Sequence, residues 1–277
     1  MNKHLYGLLG YPLGHSLSPL IHSELFSIAK KPGEYRLFSI PPHQLFKNTE
    51  VFKELSGFNV TIPYKQDIIK ILTRLDDTAS GYGAVNTVLV KDGELIGYNT
   101  DCYGFRSALY DARIDSFDSI LLLGCGGVGR MIAFEAAKRC NNITIAARDK
   151  EKALALCNEL REVHPGINAD SQALDMIDGS FDLIVNATPV GMFPDVSGCP
   201  IGEDVISKCR AVFDTIYNPL KTELIKTAER YSIPAINGMA MLVYQAVRAH
   251  TIWDGSEYSA DEIRTVIRKA EQSIKNV

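Results

Sequence analysis

One stretch, SILLLGCGGVGR from Ser119 to Arg130, constrains the fold of this chain more than any other. Residues 120–123 are apolar and predict a buried parallel strand, and a glycine-rich turn follows before a helical run, MIAFEAAKR, begins. Glycines at such a turn let backbone N–H groups approach phosphates, which the positive end of the helix dipole also attracts. The stretch therefore predicts a dinucleotide site at the edge of a parallel sheet. The residues expected there are Gly124, Gly126, Gly127, Val128 and Gly129.

The length and composition narrow the class of protein. A chain of 277 residues with a hydrophobic fraction of 46% is expected to form one large or two moderate domains. A net charge of −4 argues against a nucleic-acid or membrane partner and favours a small molecule. The six cysteines form no C-x-x-C pair, and the histidines have no ligand spacing, so we predict neither disulfides nor a metal site. The scattered cysteines lead us to expect the reducing cytoplasm, and we expect a soluble protein because no signal peptide or long apolar run is present.

The N-terminal part of the chain alternates predicted strands and helices. A strand over Leu5–Leu9 precedes a helix to about Lys30, with Ser18 as its N-cap and Pro19 at its first position. Strands are then predicted at EYRLFSI, GFNVTI and AVNTVLV, helices at PPHQLFKNTEVFKEL and YKQDIIKILTRL, a glycine-hinged turn at SGYG, and a hairpin turn at Asp92-Gly93. This order predicts a mostly parallel sheet, with ligands at the rim just beyond the strand ends.

The C-terminal part repeats the pattern around the glycine-rich turn. A helix is expected to begin at Asp101, before the domain boundary. Further strands are predicted at NITIAAR, FDLIVNA and AVFDTIY, with a helix at KEKALALCNELREV between the first two. One long helix is predicted over PAINGMAMLVYQAVRAHTIW, and Ser259 and Glu262 form a capping box for a last helix that ends near Lys275.

The choice of cofactor depends on the residues after the second strand of the nucleotide unit. An acidic residue there accepts the ribose hydroxyls of NAD, whereas an arginine neutralises the 2′-phosphate of NADP. This chain has Arg148 at the end of NITIAAR and Lys152 one turn later, which favours NADP. Asp149 lies between them, so NAD stays an alternative.

Eight motifs in register carry a resemblance to a known family. They are SLSP at 16–19, NVTIPYK at 59–65, GAVNT at 83–87, NTDCYGF at 99–105, GCGGVG at 124–129, NATPVGM at 186–192, YNPLKT at 217–222 and NGMAMLVYQA at 237–246. Together they resemble shikimate dehydrogenase, and they span nearly the whole chain. The resemblance implies an α/β enzyme that reversibly reduces 3-dehydroshikimate to shikimate with NADPH, in aromatic amino-acid biosynthesis. It also implies a substrate domain over 1–105, a Rossmann domain over 106–238, and C-terminal helices over 239–277 that return to the first domain.

The chemistry of the reaction agrees with the residues that the resemblance selects. Hydride reduction of a ketone leaves a developing alkoxide that needs a proton, and the reverse reaction needs a base. The resemblance assigns this role to Lys65 paired with Asp101. A neighbouring carboxylate orients the ammonium group, so either partner could be the formal acid or base. We expect Lys65 to act and Asp101 to orient it while holding a ring hydroxyl.

The resemblance also implies the other contacts. Ser16, Ser18 and Tyr217 are expected at the substrate carboxylate, and Thr61, Asn86 and Gln245 at its hydroxyls. Beyond the glycine turn, Arg148 and Lys152, the expected cofactor contacts are Asp77, Thr188 and Gly238.

The chain departs from the family pattern at one point. Where the family commonly has N-R-T, this chain reads Ala147-Arg148-Asp149, which bears on the preference for NADP. An NAD-preferring quinate/shikimate dehydrogenase is therefore an alternative. A methylene-tetrahydrofolate dehydrogenase is a second alternative, which the SLSP and NTDCYGF motifs disfavour. A non-catalytic binding module is a third, which the intact Lys65 and Asp101 disfavour. We expect a monomer or a homodimer.

Overall fold

A computed structural model describes residues 4–14, 16–47, 49–114 and 116–275, which divide into two compact units. Unit 1 comprises the residues up to Gly104 together with Leu242–Ser273. Unit 2 consists mainly of Phe105–Met241. Unit 1 is thus formed from both ends of the chain, as expected for an α/β fold whose C-terminal helices return to the first domain.

Unit 1 contains a six-stranded sheet. Its strands are β1 (His4–Gly10), β2 (Gly33–Ser39), β3 (Gly57–Val60), β4 (Arg74–Leu75), β5 (Thr87–Lys91) and β6 (Glu94–Tyr98), in the order β2-β1-β3-β5-β6-β4. The β1–β2, β1–β3 and β4–β6 pairs are parallel, whereas β5 is antiparallel to both β3 and β6. Asp92 and Gly93 join β5 to β6 with φ values of 52° and 80°, so the predicted hairpin turn is confirmed.

Over the described residues up to 111, the chain contains four α-helices. They are α1 (Ser18–Ala29), α2 (Glu50–Lys53), α3 (Asp77–Tyr82) and α4 (Asp101–Asp111). The strand at β1 and the helix beginning at Asp101 are confirmed. The prediction of Ser18 as an N-cap is wrong, because Leu17 occupies that position and Ser18 is the first helical residue. The hydroxyl of Ser16 instead accepts the Ser18 backbone N–H at 3.2 Å.

Two other helix predictions in unit 1 are confirmed only in part. PPHQLFKNTEVFKEL forms a 3₁₀ helix over Pro42–Lys47 and the single turn of α2, each of which buries one apolar side chain, Leu45 or Phe52. YKQDIIKILTRL forms a 3₁₀ helix over Asp67–Ile71 and then β4, because residues 74–75 pair with β6 at the sheet edge. In both segments tertiary packing outweighed a helical pattern.

The segment predicted as a glycine-hinged turn contains a helix, α3. Its N-cap is Asp76, whose side chain accepts the Ala79 N–H at 2.9 Å. Its C-cap is Gly83 in the left-handed region, with φ of 62°. These caps stabilise a six-residue helix whose interior has few strong helix-forming residues.

Unit 2 contains a second six-stranded sheet, in which every pair is parallel. Its strands are β7 (Ser119–Leu123), β8 (Asn142–Ala146), β9 (Asn168–Gln172), β10 (Leu183–Asn186), β11 (Ala211–Asp214) and β12 (Ala235–Ile236), in the order β12-β11-β10-β7-β8-β9. Its helices are α5 (Gly127–Ala137), α6 (Lys150–Val163), α7 (Glu203–Ile206) and α8 (Glu223–Arg230). The order reverses at β7, which is the dinucleotide-binding topology that the glycine turn predicts. The polar edge strand β9 was not predicted, since only its Ala169 is buried.

The C-terminal helices are α9 (Met239–Asp254) and α10 (Ala260–Lys275). The predicted long helix begins only after β12 and Gly238, and residues 234–238 are not helical. The capping box is confirmed, because the Glu262 carboxylate accepts the Ser259 N–H at 2.8 Å and the Ser259 hydroxyl accepts the Glu262 N–H at 3.4 Å.

Each unit has its own apolar core. Leu9, Phe52, Phe58, Ile68 and Val88 are fully buried in unit 1. Leu121, Ile184, Val212 and Leu224 are fully buried in unit 2. Among the described residues, no helix is both long enough and apolar enough to cross a membrane.

Candidate active site

Lys65 and Asp101 form an ion pair in unit 1, and a cluster of polar side chains that includes Asn86, Thr100 and Gln245 surrounds Asp101. The Lys65 Nζ donates to Asp101 Oδ2 at 2.6 Å, and both side chains are largely buried, with exposures of 19% and 12%. The two predicted catalytic residues, 36 positions apart in the chain, are therefore in direct contact. The pair combines a proton donor with a carboxylate that fixes its direction.

Backbone contacts hold both members of this pair in place. Lys65 follows β3, and its carbonyl accepts the Val85 N–H at 2.7 Å. Asp101 is the first residue of α4, and its N–H donates to the Asn99 side chain at 3.1 Å. The carboxylate therefore lies at a helix N-terminus, where the helix dipole favours negative charge.

Asn86 connects the ion pair to its surroundings. Its side-chain amide donates to Asp101 Oδ1 at 2.8 Å and lies 3.0 Å from the Thr100 hydroxyl. Its side-chain oxygen accepts the Thr100 N–H at 2.6 Å. Both ends of a side chain that is 3% exposed are thus engaged, so its orientation is determined.

Gln245 joins the same cluster from α9. Its Oε1 lies 3.4 Å from both the Asn86 amide and the Thr100 hydroxyl, and its amide donates to the Leu242 carbonyl at 2.9 Å. Sequence alone would present Gln245 as an ordinary polar residue of an apolar helix, but the fold of unit 1 places it beside the polar side chains of Asn86 and Thr100. The predicted grouping of Lys65, Asp101, Asn86 and Gln245 is thus present in the structure.

The remaining predicted residues of unit 1 lie at strand ends and at helix starts. Thr61 follows β3 directly, and its N–H donates to the Leu9 carbonyl at 2.9 Å. Ser16 and Ser18 lie at the N-terminus of α1, in contact through the hydrogen bond described above. Asp77 lies exposed in the first turn of α3.

Sequence reasoning left Asn59 out of the predicted site residues, as a structural or supporting residue, and missed Thr87 and Thr100. Asn59, on β3, accepts the Tyr35 hydroxyl at 2.7 Å and donates to the Thr87 hydroxyl at 3.0 Å. The Thr87 hydroxyl in turn lies 3.2 Å from Asn86 and 3.1 Å from Thr100. The available signal was a polar residue at the end of a buried strand, which must find a partner.

In unit 2 the glycine-rich turn connects β7 to α5. Gly124 has φ of 96°, which favours glycine, and a Cβ there would come within 2.9 Å of the Thr188 methyl group. A Cβ on Gly129 would overlap the Gly124 carbonyl oxygen, so these two glycines are required by packing within the turn.

Gly126 and Gly127 are glycines for a different reason. Both are exposed, and a Cβ on either would meet no protein atom within 4 Å. Gly126 is the N-cap of α5 and Gly127 is its first residue, so unpaired backbone N–H groups and the positive helix end lie at this surface. This is the arrangement that a pyrophosphate requires, and the turn therefore fits a dinucleotide.

The residues after β8 supply positive charge. Arg148 is exposed, and over the described ranges the structure shows no ion pair or hydrogen bond of its side chain. Asp149 is the N-cap of α6, where its carboxylate accepts the Lys152 N–H at 3.0 Å and lies 3.3 Å from the Lys152 Nζ. The N–H group and ammonium of Lys152 hold the pKa of Asp149 below its usual value. The acidic residue is thus engaged by its own helix.

Three other predicted residues of unit 2 lie in loops after strands. Thr188 follows β10, and its methyl group is the one nearest to Gly124. Gly238 follows β12, where a Cβ would overlap the Thr215 carbonyl oxygen. Tyr217 is half-buried after β11, and burial raises the pKa of its hydroxyl. No group of three or more potential metal ligands occurs among the described residues.

Comparisons with known proteins bear on both units. The family model for the shikimate dehydrogenase substrate binding domain matches residues 8–88, and the model for the saccharopine dehydrogenase NADP binding domain matches residues 120–212. A curated shikimate dehydrogenase (NADP(+)) from Methanocaldococcus jannaschii is 40% identical over 94% of this chain and 95% of its own length.

Solved structures give the same result. A shikimate dehydrogenase crystallised in complex with NADP+ has a TM-score of 0.89 and 37% identity, and the match covers 96% of this chain and 95% of that one. Shikimate 5-dehydrogenase from Thermus thermophilus, in complex with NADP(H) and shikimate, has a TM-score of 0.86 and 30% identity, over 97% and 100% of the two chains. The resemblance seen in the eight motifs is confirmed. This chain belongs to the shikimate dehydrogenase family of oxidoreductases.

Proposed function

We propose that this chain catalyses the reversible NADPH-dependent reduction of 3-dehydroshikimate to shikimate, a step of aromatic amino-acid biosynthesis. The observation that carries the proposal is the buried ion pair of Lys65 with Asp101, at 2.6 Å, surrounded by amide and hydroxyl groups. Such a cluster presents a proton donor and several hydrogen-bonding groups in fixed positions, as a polyhydroxylated substrate requires.

Lys65 is the proposed acid and base. Its ammonium donates a proton to the oxygen that becomes the C–OH group, and its neutral amine takes that proton back in the reverse direction. Asp101 orients the Lys65 side chain and accepts a hydrogen bond from a neighbouring ring hydroxyl. Asn86 fixes the orientation of the Asp101 carboxylate by donating a hydrogen bond to its Oδ1 at 2.8 Å.

The other substrate contacts follow from residue type. Thr61, Asn86 and Gln245 carry hydroxyl and amide groups suited to the ring hydroxyls. The hydroxyls of Ser16, Ser18 and Tyr217 are proposed to bind the substrate carboxylate. The two serines lie at the N-terminus of α1, which attracts anions. In this proposal residues 1–105 with 239–277 form the substrate domain, and 106–238 form the cofactor domain.

The cofactor is proposed to bind at the turn between β7 and α5. NADPH bound there supplies the hydride. Gly124, Gly126, Gly127, Val128 and Gly129 form the pyrophosphate turn, and Thr188, Gly238 and Asp77 are proposed as further contacts. Arg148 and Lys152 are proposed to bind the 2′-phosphate.

The position of the Asp149 carboxylate supports the proposal that the chain uses NADP in preference to NAD. A carboxylate that accepts ribose hydroxyls must face the cofactor, whereas Asp149 caps α6 and pairs with Lys152. Arg148 keeps its guanidinium available for a phosphate. We further propose a cytoplasmic enzyme that acts on small molecules as a monomer or homodimer.

A matched pair of lysine variants tests the catalytic role. We expect Lys65→Ala to lower kcat for shikimate oxidation by at least about 100-fold, because it removes the acid-base group. Shikimate binding, measured by calorimetry, is expected to change little. Lys70→Ala is the control, since Lys70 forms an exposed pair with Asp67 at 2.6 Å on the same segment. Equal turnover in the wild type and Lys65→Ala would refute the proposed mechanism.

The substrate and cofactor are tested by absorbance at 340 nm with shikimate or quinate and NADP or NAD. Turnover confined to shikimate with NADP is expected. A preference for NAD would mean that Asp149 sets the cofactor choice, and turnover of quinate would favour the quinate/shikimate alternative. Turnover with none of the four pairs would refute the proposed reaction.

A further inference from the structure

A buried carboxyl group at the end of β11 has no part in the function proposed above. Asp214 is fully buried, and its register partner on β10, Asn186, is also fully buried. Burial raises the pKa of the Asp214 carboxyl to about 6. A carboxyl group without access to water is costly unless it is fully hydrogen-bonded, so its partners indicate what it does.

Both oxygens of Asp214 accept hydrogen bonds, from the neighbouring strand and from the two segments that follow β11. Its Oδ2 accepts the Thr222 hydroxyl at 2.6 Å, and Thr222 is the N-cap of α8. Its Oδ1 accepts the Ile216 N–H at 3.1 Å and the Asn186 side-chain amide at 3.0 Å. One side chain thus joins β10, the loop after β11 and the start of α8.

Asn186 extends this connection to the loop that carries Thr188. Its side-chain oxygen accepts both the backbone N–H of Thr188, at 3.0 Å, and the Thr188 hydroxyl, at 2.7 Å. The Thr188 methyl group is the atom nearest to the Cβ that Gly124 lacks. The position of Thr188 beside the glycine turn therefore depends on a side chain whose amide is held by Asp214.

A second branch leads to Gly238. Ile216, whose N–H is held by Asp214, accepts the Gly238 N–H through its own carbonyl at 2.9 Å. Two of the proposed cofactor contacts, Thr188 and Gly238, are therefore each connected to the same carboxyl group through one intervening residue.

We infer that Asp214 is a positioning residue for cofactor binding, which holds Thr188 through Asn186 and Gly238 through Ile216. This inference rests on the cofactor roles proposed for Thr188 and Gly238. The physical reason is preorganisation, because a loop held in its binding geometry does not lose conformational entropy when the cofactor binds. Residues that contact nothing of the ligand can in this way set its affinity.

The test compares two variants of Asp214 by titrating NADPH fluorescence. We expect Asp214→Ala to weaken NADPH binding about tenfold, because both branches lose their anchor. Asp214→Asn keeps an acceptor for Asn186 and Ile216 and can donate to the Thr222 hydroxyl, so its dissociation constant is expected within about threefold of the wild type. In turnover assays KM for NADP+ is expected to rise in Asp214→Ala.

The control is a carboxylate at the N-terminal ends of the strands of the same sheet, whereas Asp214 lies at their C-terminal ends. Asp182 precedes β10 and accepts the backbone N–H groups of Asp118 and Ser119 at 2.8 and 3.1 Å. Asp182→Ala is expected to lower the unfolding midpoint and to leave NADPH affinity unchanged. Unchanged affinity in folded Asp214→Ala, or an equal loss in Asp182→Ala, would overturn the inference.

Two further variants keep the test decisive. If Asp214→Ala does not fold, Asn186→Leu replaces it, since this change releases Thr188 without removing the carboxyl group. It must weaken NADPH binding about tenfold, and wild-type affinity would overturn the inference.

Thr188→Val separates the positioning role inferred for Asp214 from the cofactor role proposed for Thr188. If it binds NADPH like the wild type, the cofactor role of Thr188 fails. If it weakens binding while Asp214→Ala and Asn186→Leu do not, only the positioning role fails.

Discussion

A pair of buried histidines in unit 1 makes its stability depend on pH. His22 and His250 are fully buried, and His22 Nδ1 lies 3.0 Å from His250 Nε2. The other nitrogen of His250, Nδ1, lies 2.7 Å from the Tyr258 hydroxyl. The rings of Phe26 and Trp253 also flank His250, with ring centroids at 4.5 and 5.7 Å, so an imidazolium would be poorly solvated there.

The magnitude follows from the pKa values. Burial lowers the pKa of His250 from 6.5 to about 4, against the opposing effect of the nearby Asp254 carboxylate. Burial, and then the neighbouring imidazole, hold the pKa of His22 well below 6.5. The unfolded chain binds more protons than the folded one below pH 6.5, so stability is fully present above that pH and falls as the pH approaches 4. His250 alone accounts for a loss of about 2 kcal/mol between pH 8 and pH 5, and of about 3 kcal/mol in full.

Urea unfolding at several pH values measures this loss. Trp253, the only tryptophan in the sequence, lies within this cluster and reports on unit 1 by its fluorescence. We expect His250→Phe to reduce the change in unfolding free energy between pH 8 and pH 5 by about 2 kcal/mol, whatever its effect on absolute stability. His43→Gln, at an exposed site, is the control and should leave the pH dependence unchanged. A wild-type pH dependence in His250→Phe would refute the reasoning.

Two further predictions concern the cofactor and the last helix. Arg148→Ala is expected to weaken NADP+ binding about 10- to 100-fold and to leave NAD+ binding within about twofold, because it removes a charged hydrogen bond to the 2′-phosphate; equal losses in calorimetric titrations with both cofactors would contradict this. Glu262→Ala is expected to lower the urea midpoint of unit 1, since the Ser259 N–H loses its acceptor. Glu271→Ala on the same helix is the control for urea unfolding, and a similar loss there would show that the cap does not carry the effect.

Local patterns determined the parts of this protein whose physics is local. The strand at β7, the glycines at Gly124 and Gly129, the hairpin at Asp92-Gly93 and the capping box of α10 each depend on a few neighbouring residues, and each was predicted. The family was also evident from eight motifs in order, and the relatives confirm it. The helical pattern over residues 64–75 was misleading at its C-terminal end, where residues 74–75 form β4 and pair with β6.

Only the tertiary structure decided which distant polar groups meet. Lys65 and Asp101 could be paired from sequence by resemblance alone, and the network through Asn59, Thr87 and Thr100 was not foreseen. The contact between Asn186 and Asp214 depends on the register of two parallel strands, which no local pattern encodes. The physical reason is common to these cases: burial forces each polar side chain to find a partner, and the partner is set by strand order and register, which the whole sheet determines.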